Sequence, residues 1–319
     1  GQPGRAMELF EAALKTKREL GDVREIAVTE NAIADLLRQQ GQPGRAMELY
    51  ETSLKTFQEL GDVRELAVTQ HAMADLLGHQ GQPGRAQKLF EASLETYQEL
   101  GEVRGVVATQ LAMANLFRLQ GQSTRAMELY EEALKTYQEL GDLREIAGAQ
   151  HAMADLLSQQ GQPQRAMELY EEALKTYQEW GDVREIAAVR HAIAHLLSRQ
   201  GQRQRAMGLY EEVLKTYQEL GDVREIAATR ANFSQLLVAE GEAGLGIKMA
   251  WQAYVDLSRA GYIADASAVQ DVLCYIKIGV LGVERFDSLW TQALSQRQPD
   301  WLREVTPSPA ETVAAATIS

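Results

Sequence analysis

The sequence predicts an all-α protein built as an α-solenoid of antiparallel helix pairs. Two observations carry that expectation. A block of forty residues recurs along the chain, and each block divides at a glycine into two stretches whose apolar residues follow a 3.6-residue period. Composition agrees: 45% of residues are hydrophobic, only seven of the 319 are proline, and Ala, Leu, Glu and Gln abound, the strong helix formers. A single core stops growing near this length, but a repeat array escapes the limit because each unit buries its face only against its neighbours.

The repeat opens as GQPGRAMELF at Gly1 and returns at Gly41, Gly81, Gly121, Gly161 and Gly201, with a weakened copy from Gly241 and a half copy from Gly282. Within a block, the first helix is expected from about Pro43 to Leu60. Ala46, Leu49, Tyr50, Ser53, Leu54, Phe57 and Leu60 share one stripe, while Glu48, Glu51, Lys55, Gln58 and Glu59 face the other way. Gly61 is the expected stop, since glycine adopts the left-handed conformation that closes a helix. Asp62 and Glu65 have capping-box spacing for the next helix, which runs to about Gln80. Pro43, Pro83 and Pro163 sit in first turns, where a missing N–H costs nothing.

The columns Ile33-Ala34-Leu37 and then Ala46-Tyr50 recur as Met73-Ala74-Leu77-Ala86-Phe90, Met113-Ala114-Phe117-Ala126-Tyr130 and Ile193-Ala194-Leu197-Ala206-Tyr210. This spacing resembles the tetratricopeptide (TPR) repeat, in which a small residue on one helix admits a bulky one from its neighbour. The period is six residues longer than the common thirty-four, similar to the long-repeat branch of kinesin light chains, Pins-type polarity adaptors and bacterial signalling proteins. Glu30, Gln70 and Arg190 stand where the family often has Trp, and the proline that closes the family's second helix is absent. The resemblance covers about residues 1–297 and implies a right-handed TPR-type α-solenoid. In family phase, a lone helix at 2–20 precedes helix pairs at 22–60, 62–100, 102–140, 142–180, 182–220 and 222–260, with a degenerate pair at 263–297. Residues 298–319 read as a mostly flexible tail.

A net charge of −13 argues against nucleic acid and anionic membrane as partners, since both select dense Lys and Arg. The single cysteine, Cys274, excludes an internal disulfide framework and suits a reducing cytoplasm; its place in the small-residue column of Ala34 and Ala74 reads as packing. No phosphate loop, zincin motif or nucleophile elbow is present, and GEAGLG from Gly241 follows no strand. No enzyme activity and no cofactor are therefore expected. His191 and His195 have the i,i+4 spacing that can chelate zinc, with His151 and Asp155 on the adjacent helix. Stacked helices about 10 Å apart separate these pairs too widely for a closed site, so no metal is assigned. The Asn232-Phe233-Ser234 sequon lies inside an expected helix and reads as accidental.

The resemblance implies that the first helix of each pair lines a concave groove. Helical geometry then selects which residues face it: opposite the core stripe of helix 22–40 lie Val28, Asn31, Asp35 and Arg38. One period at a time the columns become His71 and Asp75, then Leu111, Asn115 and Arg118, then His151 and Asp155, then His191 and His195, with Gln235 and Tyr275 in the last pairs. Four of the five histidines fall in two columns and His79 lies beside them. These columns diverge among copies that keep Leu49 and its equivalents, which reads as a groove fitted to a peptide or protein segment. Drift at exposed sites is the plainer alternative, and Glu30 and Gly44 also vary. The function expected is a protein-binding scaffold or sensor, part of a larger bacterial signalling protein. A self-assembly module stacking end to end is the rival. Helix 2–20 lacks a helix before it, so the native protein is expected to continue upstream, or this helix to pack on another chain as a homo-oligomer contact.

Overall fold

The computed structural model describes residues 3–305. Among them it is helical throughout, and its contacts divide into two compact units, Gly1–Thr176 and Tyr177–Ser319. The first unit holds α1 (Pro3–Leu20), α2 (Val23–Gln39), α3 (Pro43–Leu60), α4 (Val63–His79), α5 (Pro83–Glu99), α6 (Val103–Leu119), α7 (Ser123–Leu140), α8 (Leu143–Gln159) and most of α9 (Pro163–Trp180). The second holds the end of α9, then α10 (Val183–Arg199), α11 (Arg203–Leu220), α12 (Val223–Ala239), α13 (Ala243–Ala260), α14 (Ile263–Tyr275), a π-helical segment (Ile276–Leu281), α15 (Val283–Leu294) and the short α16 (Asp300–Arg303).

The small-to-large columns make the core. In the first unit Ala34 and Ala46 are fully buried and admit Tyr50; Ala74 and Ala86 admit Phe90; Ala114 and Ala126 admit Tyr130. The second unit repeats this with Ala194, Ala206 and Tyr210. Each buried aromatic is worth about 1.5–3 kcal/mol, so the period of the fold follows the period of this packing. Ser53 and Ser93 add a polar stitch, donating from one helix to the Ala27 and Ala67 carbonyls of its neighbour at 3.0 and 2.9 Å.

The turns explain why the capping box is only half realised. Gly61, at φ 67°, closes α3 with Gly61 N–H donating to Gln58 O and Asp62 N–H to Phe57 O, the paired bonds of a Schellman motif. Asp62 Oδ1 does accept from Glu65 N–H at 3.3 Å. The reciprocal bond from Asp62 N–H to the Glu65 side chain cannot form, because the turn already uses that N–H.

The C-terminal end differs from its expected tail. In residues 298–305, Leu302 is fully buried, Trp301 packs beside Tyr254, and Trp290 Nε1 donates to Gln296 O at 2.8 Å. An aromatic cluster of Trp251, Tyr254, Phe286 and Trp290 holds this segment in place, a long-range contact that composition alone does not reveal. Residues 306–319, the rest of the expected tail, lie outside the described residues. Cys274 sits half-buried against this cluster, and burial pushes its thiol up. Gly246 of GEAGLG is a packing glycine: a Cβ there would lie 2.7 Å from Ser234 O. At the opposite end Leu9 and Leu20 of α1 are largely exposed.

Candidate functional site

From α2 to α12 the even-numbered helices are more buried than their odd-numbered neighbours, and each leaves a stripe partly open to solvent. On α6 that stripe is Arg104, Ala108, Leu111, Asn115 and Arg118, at the i, i+4, i+7, i+11 and i+14 positions of one face. The candidate residues divide between the units: Asn31, Asp35, Arg38, His71, Asp75, Leu111, Asn115, Arg118, His151 and Asp155 in the first, and His191, His195, Gln235 and Tyr275 in the second.

The acidic and amide column has a structural task. Tyr50 Oη donates to Asp35 Oδ1 at 2.5 Å, Tyr130 Oη to Asn115 Oδ1 at 2.7 Å, and Tyr170 Oη to Asp155 Oδ1 at 2.6 Å. Each of these rings is buried, and a buried hydroxyl without an acceptor is costly. Burial, reinforced by Asp35 at Tyr50 and by Asp155 at Tyr170, pushes both phenols above their usual range, so they remain donors. The rule has an informative exception. Phe90 carries no hydroxyl, and the matching carboxylate, Asp75, is held instead by Arg38 Nη1 at 3.0 Å, with His79 Nε2 at 3.7 Å.

The histidine column is likewise shared between packing and hydrogen bonding. His71, His151 and His191 sit edge-on to Phe90, Tyr170 and Tyr210, with ring centroids 5.3, 5.7 and 5.8 Å apart. Two of the three reach the next even-numbered helix: His71 Nδ1 lies 3.0 Å from Thr109 Oγ1 and His191 Nε2 lies 2.9 Å from Asn232 Nδ2. Asn31 Nδ2 makes the same link to Thr69 Oγ1 at 2.6 Å. Where Leu111 occupies the column, the residue at the Thr position one period on is Ala149, also apolar. Burial pushes the His71 imidazole below its usual 6.5, outweighing the opposing pull of Asp75. His151 Nε2 stands 3.9 Å from Asp155. Among the described residues, no three His, Cys, Asp or Glu side chains converge as a metal site.

Two clusters result in the first unit. One gathers Asp35, Arg38, His71 and Asp75; the other gathers Asn115, Arg118, His151 and Asp155 around Tyr130 and Tyr170. Each contains a buried nitrogen without a hydrogen-bond partner among the described residues, Arg38 Nε and Arg118 Nε. Asn31 Oδ1 is a buried acceptor in the same condition. In the second unit His195, Gln235 and Tyr275 are exposed, and Tyr275 stands at the start of the π-helical segment with its ring against Gly279.

Three features escaped the sequence reading. Along the turns that join odd to even helices, Arg24 Nε reaches Asp62 at 2.7 Å, Arg64 Nε reaches Glu102 at 2.7 Å, and Arg104 Nη2 reaches Asp142 at 3.5 Å. Arg184 and Arg224 do the same to Asp222 and Asp265 in the second unit. The signal was an acid and an Arg recurring two residues apart in six successive copies, from Asp22 and Arg24 to Asp222 and Arg224. The column where the family often has Trp is a second polar network, with Gln110 bonded to Glu132 at 3.0 Å, Gln150 to Glu172 at 2.6 Å and Arg230 to Asp256 at 2.6 Å. Lys277 is the third. Its ammonium is buried in the second unit, with Leu302 O at 2.9 Å and Gln298 Oε1 and Asp287 Oδ1 each at 3.3 Å, three acceptors for three donors.

Comparison with known proteins agrees with this architecture. The family model for soluble NSF attachment protein, SNAP, matches residues 85–229. No curated protein matches the chain. Among solved structures, BtubC (BKLC) from P. vanneervenii superposes with a TM-score of 0.51 at 24% identity, over 72% of this chain and 91% of that one. A Rap protein complexed with competence and sporulation factor gives 0.61 at 13% identity, over 91% and 86%. A signal transduction ATPase with numerous domains, bearing a tetratricopeptide repeat sensor, from Pyrococcus horikoshii gives 0.61 at 15% identity. That match covers 99% of this chain and 49% of the larger protein. The chain has the helical-repeat fold of tetratricopeptide-type solenoids. No helix among the described residues is long and apolar enough to cross a membrane.

Proposed function

We propose that this tetratricopeptide-type array is a non-catalytic module that holds an extended or helical segment of another polypeptide along the open stripes of its even-numbered helices. The observation that carries the reading is the pair of partly exposed guanidiniums on the stripe, Arg38 and Arg118. Each offers N–H donors at an open surface, where an acceptor such as a peptide carbonyl or carboxylate can meet them. The carboxylates beside them already accept from Tyr50, Tyr170 and Arg38. That weighs against a basic ligand read by Asp35, Asp75 and Asp155. Support from relatives is of the same kind: one Rap structure is complexed with competence and sporulation factor, and the Pyrococcus horikoshii protein carries such repeats as a sensor. A role as the sensor or scaffold arm of a larger bacterial signalling protein, in the cytoplasm, fits both.

The test is selection of a peptide from a displayed library, followed by Arg118→Gln and Lys135→Ala. Arg118→Gln should weaken the selected peptide by about 1 kcal/mol or more, and the outward-facing Lys135→Ala should change nothing. Equal effects from both would remove the stripe from the argument. The exposed Leu9 and Leu20 of α1 keep a second reading in play, homo-oligomerisation through that helix. A stripe variant that loses peptide while its sedimentation is unchanged separates the two.

A further inference from the structure

The two kinds of turn in the first unit share a backbone but not a surface. At one edge Gly41 N–H donates to Arg38 O at 3.1 Å and Gln42 N–H to Leu37 O at 2.9 Å; at the other, Gly61 N–H donates to Gln58 O at 3.3 Å and Asp62 N–H to Phe57 O at 3.0 Å. Both glycines are left-handed, at φ 73° and 67°. The first edge closes on Gln40 and reopens with Pro43, or with Ser123 two copies later. The second closes on leucine and reopens with valine or leucine every time. Leu60, Val63, Leu100, Val103, Leu140 and Leu143 are between 42% and 50% exposed. The polar edge shows that the turn itself does not require these side chains.

The rungs form one row. Arg24, Arg64 and Arg104 each bridge from their own turn to the acid of the following one at 2.7, 2.7 and 3.5 Å, so consecutive turns are neighbours in space. Packed helices stand about 8–10 Å apart, and one heptad of a straight α-helix rises about 10.5 Å. Each rung therefore meets about one heptad of a helix laid along the row. Acids outnumber bases on the flanks, although Arg64, Arg104, Lys55 and Lys135 are exposed there too. Every rung has an exposed glutamate beside its leucine, at Glu59, Glu99 and Glu139. Glu59 is 3.9 Å from Lys55, whereas Glu95 takes that lysine's place beside Glu99.

We infer that this edge of the first unit is a second docking surface, whose occupant is a basic amphipathic helix of about three heptads. Its leucine-type face covers the apolar row, and its Lys or Arg residues meet the glutamates. A second copy of this chain is a poor occupant, because it would bring the same glutamates against these.

The probe is a synthetic peptide of about 24 residues with Leu at the a and d positions and Lys elsewhere. A scrambled peptide of the same composition is the control, with both titrated at about 0.15 M salt to screen long-range attraction. The ordered peptide should bind at least tenfold more tightly than the scrambled one and gain helical circular dichroism. The variant Leu60→Gln, Val63→Ser, Leu100→Gln and Val103→Ser copies the polar edge and should lose that tenfold. Arg118→Gln should leave it intact, which separates this surface from the stripe. If the fourfold variant loses its native helicity, Glu59→Lys, Glu99→Lys and Glu139→Lys decides the matter, since those side chains are fully outside. It should weaken the basic peptide at least tenfold and favour a Leu/Glu counterpart. Equal binding of ordered and scrambled peptides, or unchanged binding in the variants, overturns the inference. So does a wild-type dimer that the fourfold variant converts to monomer, because that makes a second copy the occupant.

Discussion

Substituting Asn115 by alanine removes the acceptor to which Tyr130 Oη donates, 2.7 Å away. Tyr130 is 0% exposed, so its stranded hydroxyl should cost about 1–3 kcal/mol. Tyr130→Phe instead removes the donor and leaves Asn115, which is exposed and can turn to water, at a cost of about 0.5–1.5 kcal/mol. The protein contains its own control: Phe90 fills the same position one copy earlier at 2% exposure. The double variant Asn115→Ala with Tyr130→Phe should therefore be no less stable than Tyr130→Phe alone, giving a coupling equal to the whole cost of Asn115→Ala, about 1–3 kcal/mol. Repeat arrays open piecewise, so the readout is native-state hydrogen exchange of the α6 and α7 amides alongside urea unfolding. A loss under about 0.5 kcal/mol for Asn115→Ala, or strictly additive effects, would refute the reasoning. The same result decides how a binding defect in Asn115→Ala is to be understood, because that change disturbs the fold as well as the surface.

Two further outcomes follow from buried titratable groups. The His71 imidazole is held below 6.5 by burial, so the unfolded chain binds its proton more readily than the folded one. Stability should be complete above pH 6.5 and fall as the pH drops below it. His71→Asn, which copies the Asn31–Thr69 link, should flatten that dependence in urea midpoints measured from pH 7.5 to 5, and an unchanged slope would count against it. Lys277→Met should leave Leu302 O and Gln298 without their buried donor, at a cost of about 1–3 kcal/mol. The damage should be local, with faster proteolysis after residue 295 and a red-shifted tryptophan emission, while exchange in α2 to α8 stays unchanged; wild-type proteolysis in this variant would show the latch to be ornamental.

The helix pairs were written in the sequence because their cause is periodic. Ala34, Ala46 and Tyr50 recur at forty-residue intervals, and a small residue opposite a large one admits essentially one packing at close distance. The glycines at the turns are equally readable, since only a residue free of a Cβ takes φ near +70° without strain. Angular position alone also picks out the stripe residues, of which Asp35, Asp75 and Asn115 are partly or fully exposed while Asn31 is buried.

What each of those residues does was decided only in three dimensions. Asp35 and Asn115 look like free surface polar groups until Tyr50 and Tyr130, fifteen residues on, are seen to need an acceptor. Arg24 and Asp62 stand thirty-eight residues apart and pair only because the array brings successive turns together. Residues 298–305 looked like tail because their partners, Tyr254 and Lys277, lie far back in the chain. Sequence fixes helical phase because phase is a local property of backbone geometry. Hydrogen-bond satisfaction is a property of neighbours, and the neighbours are chosen by packing.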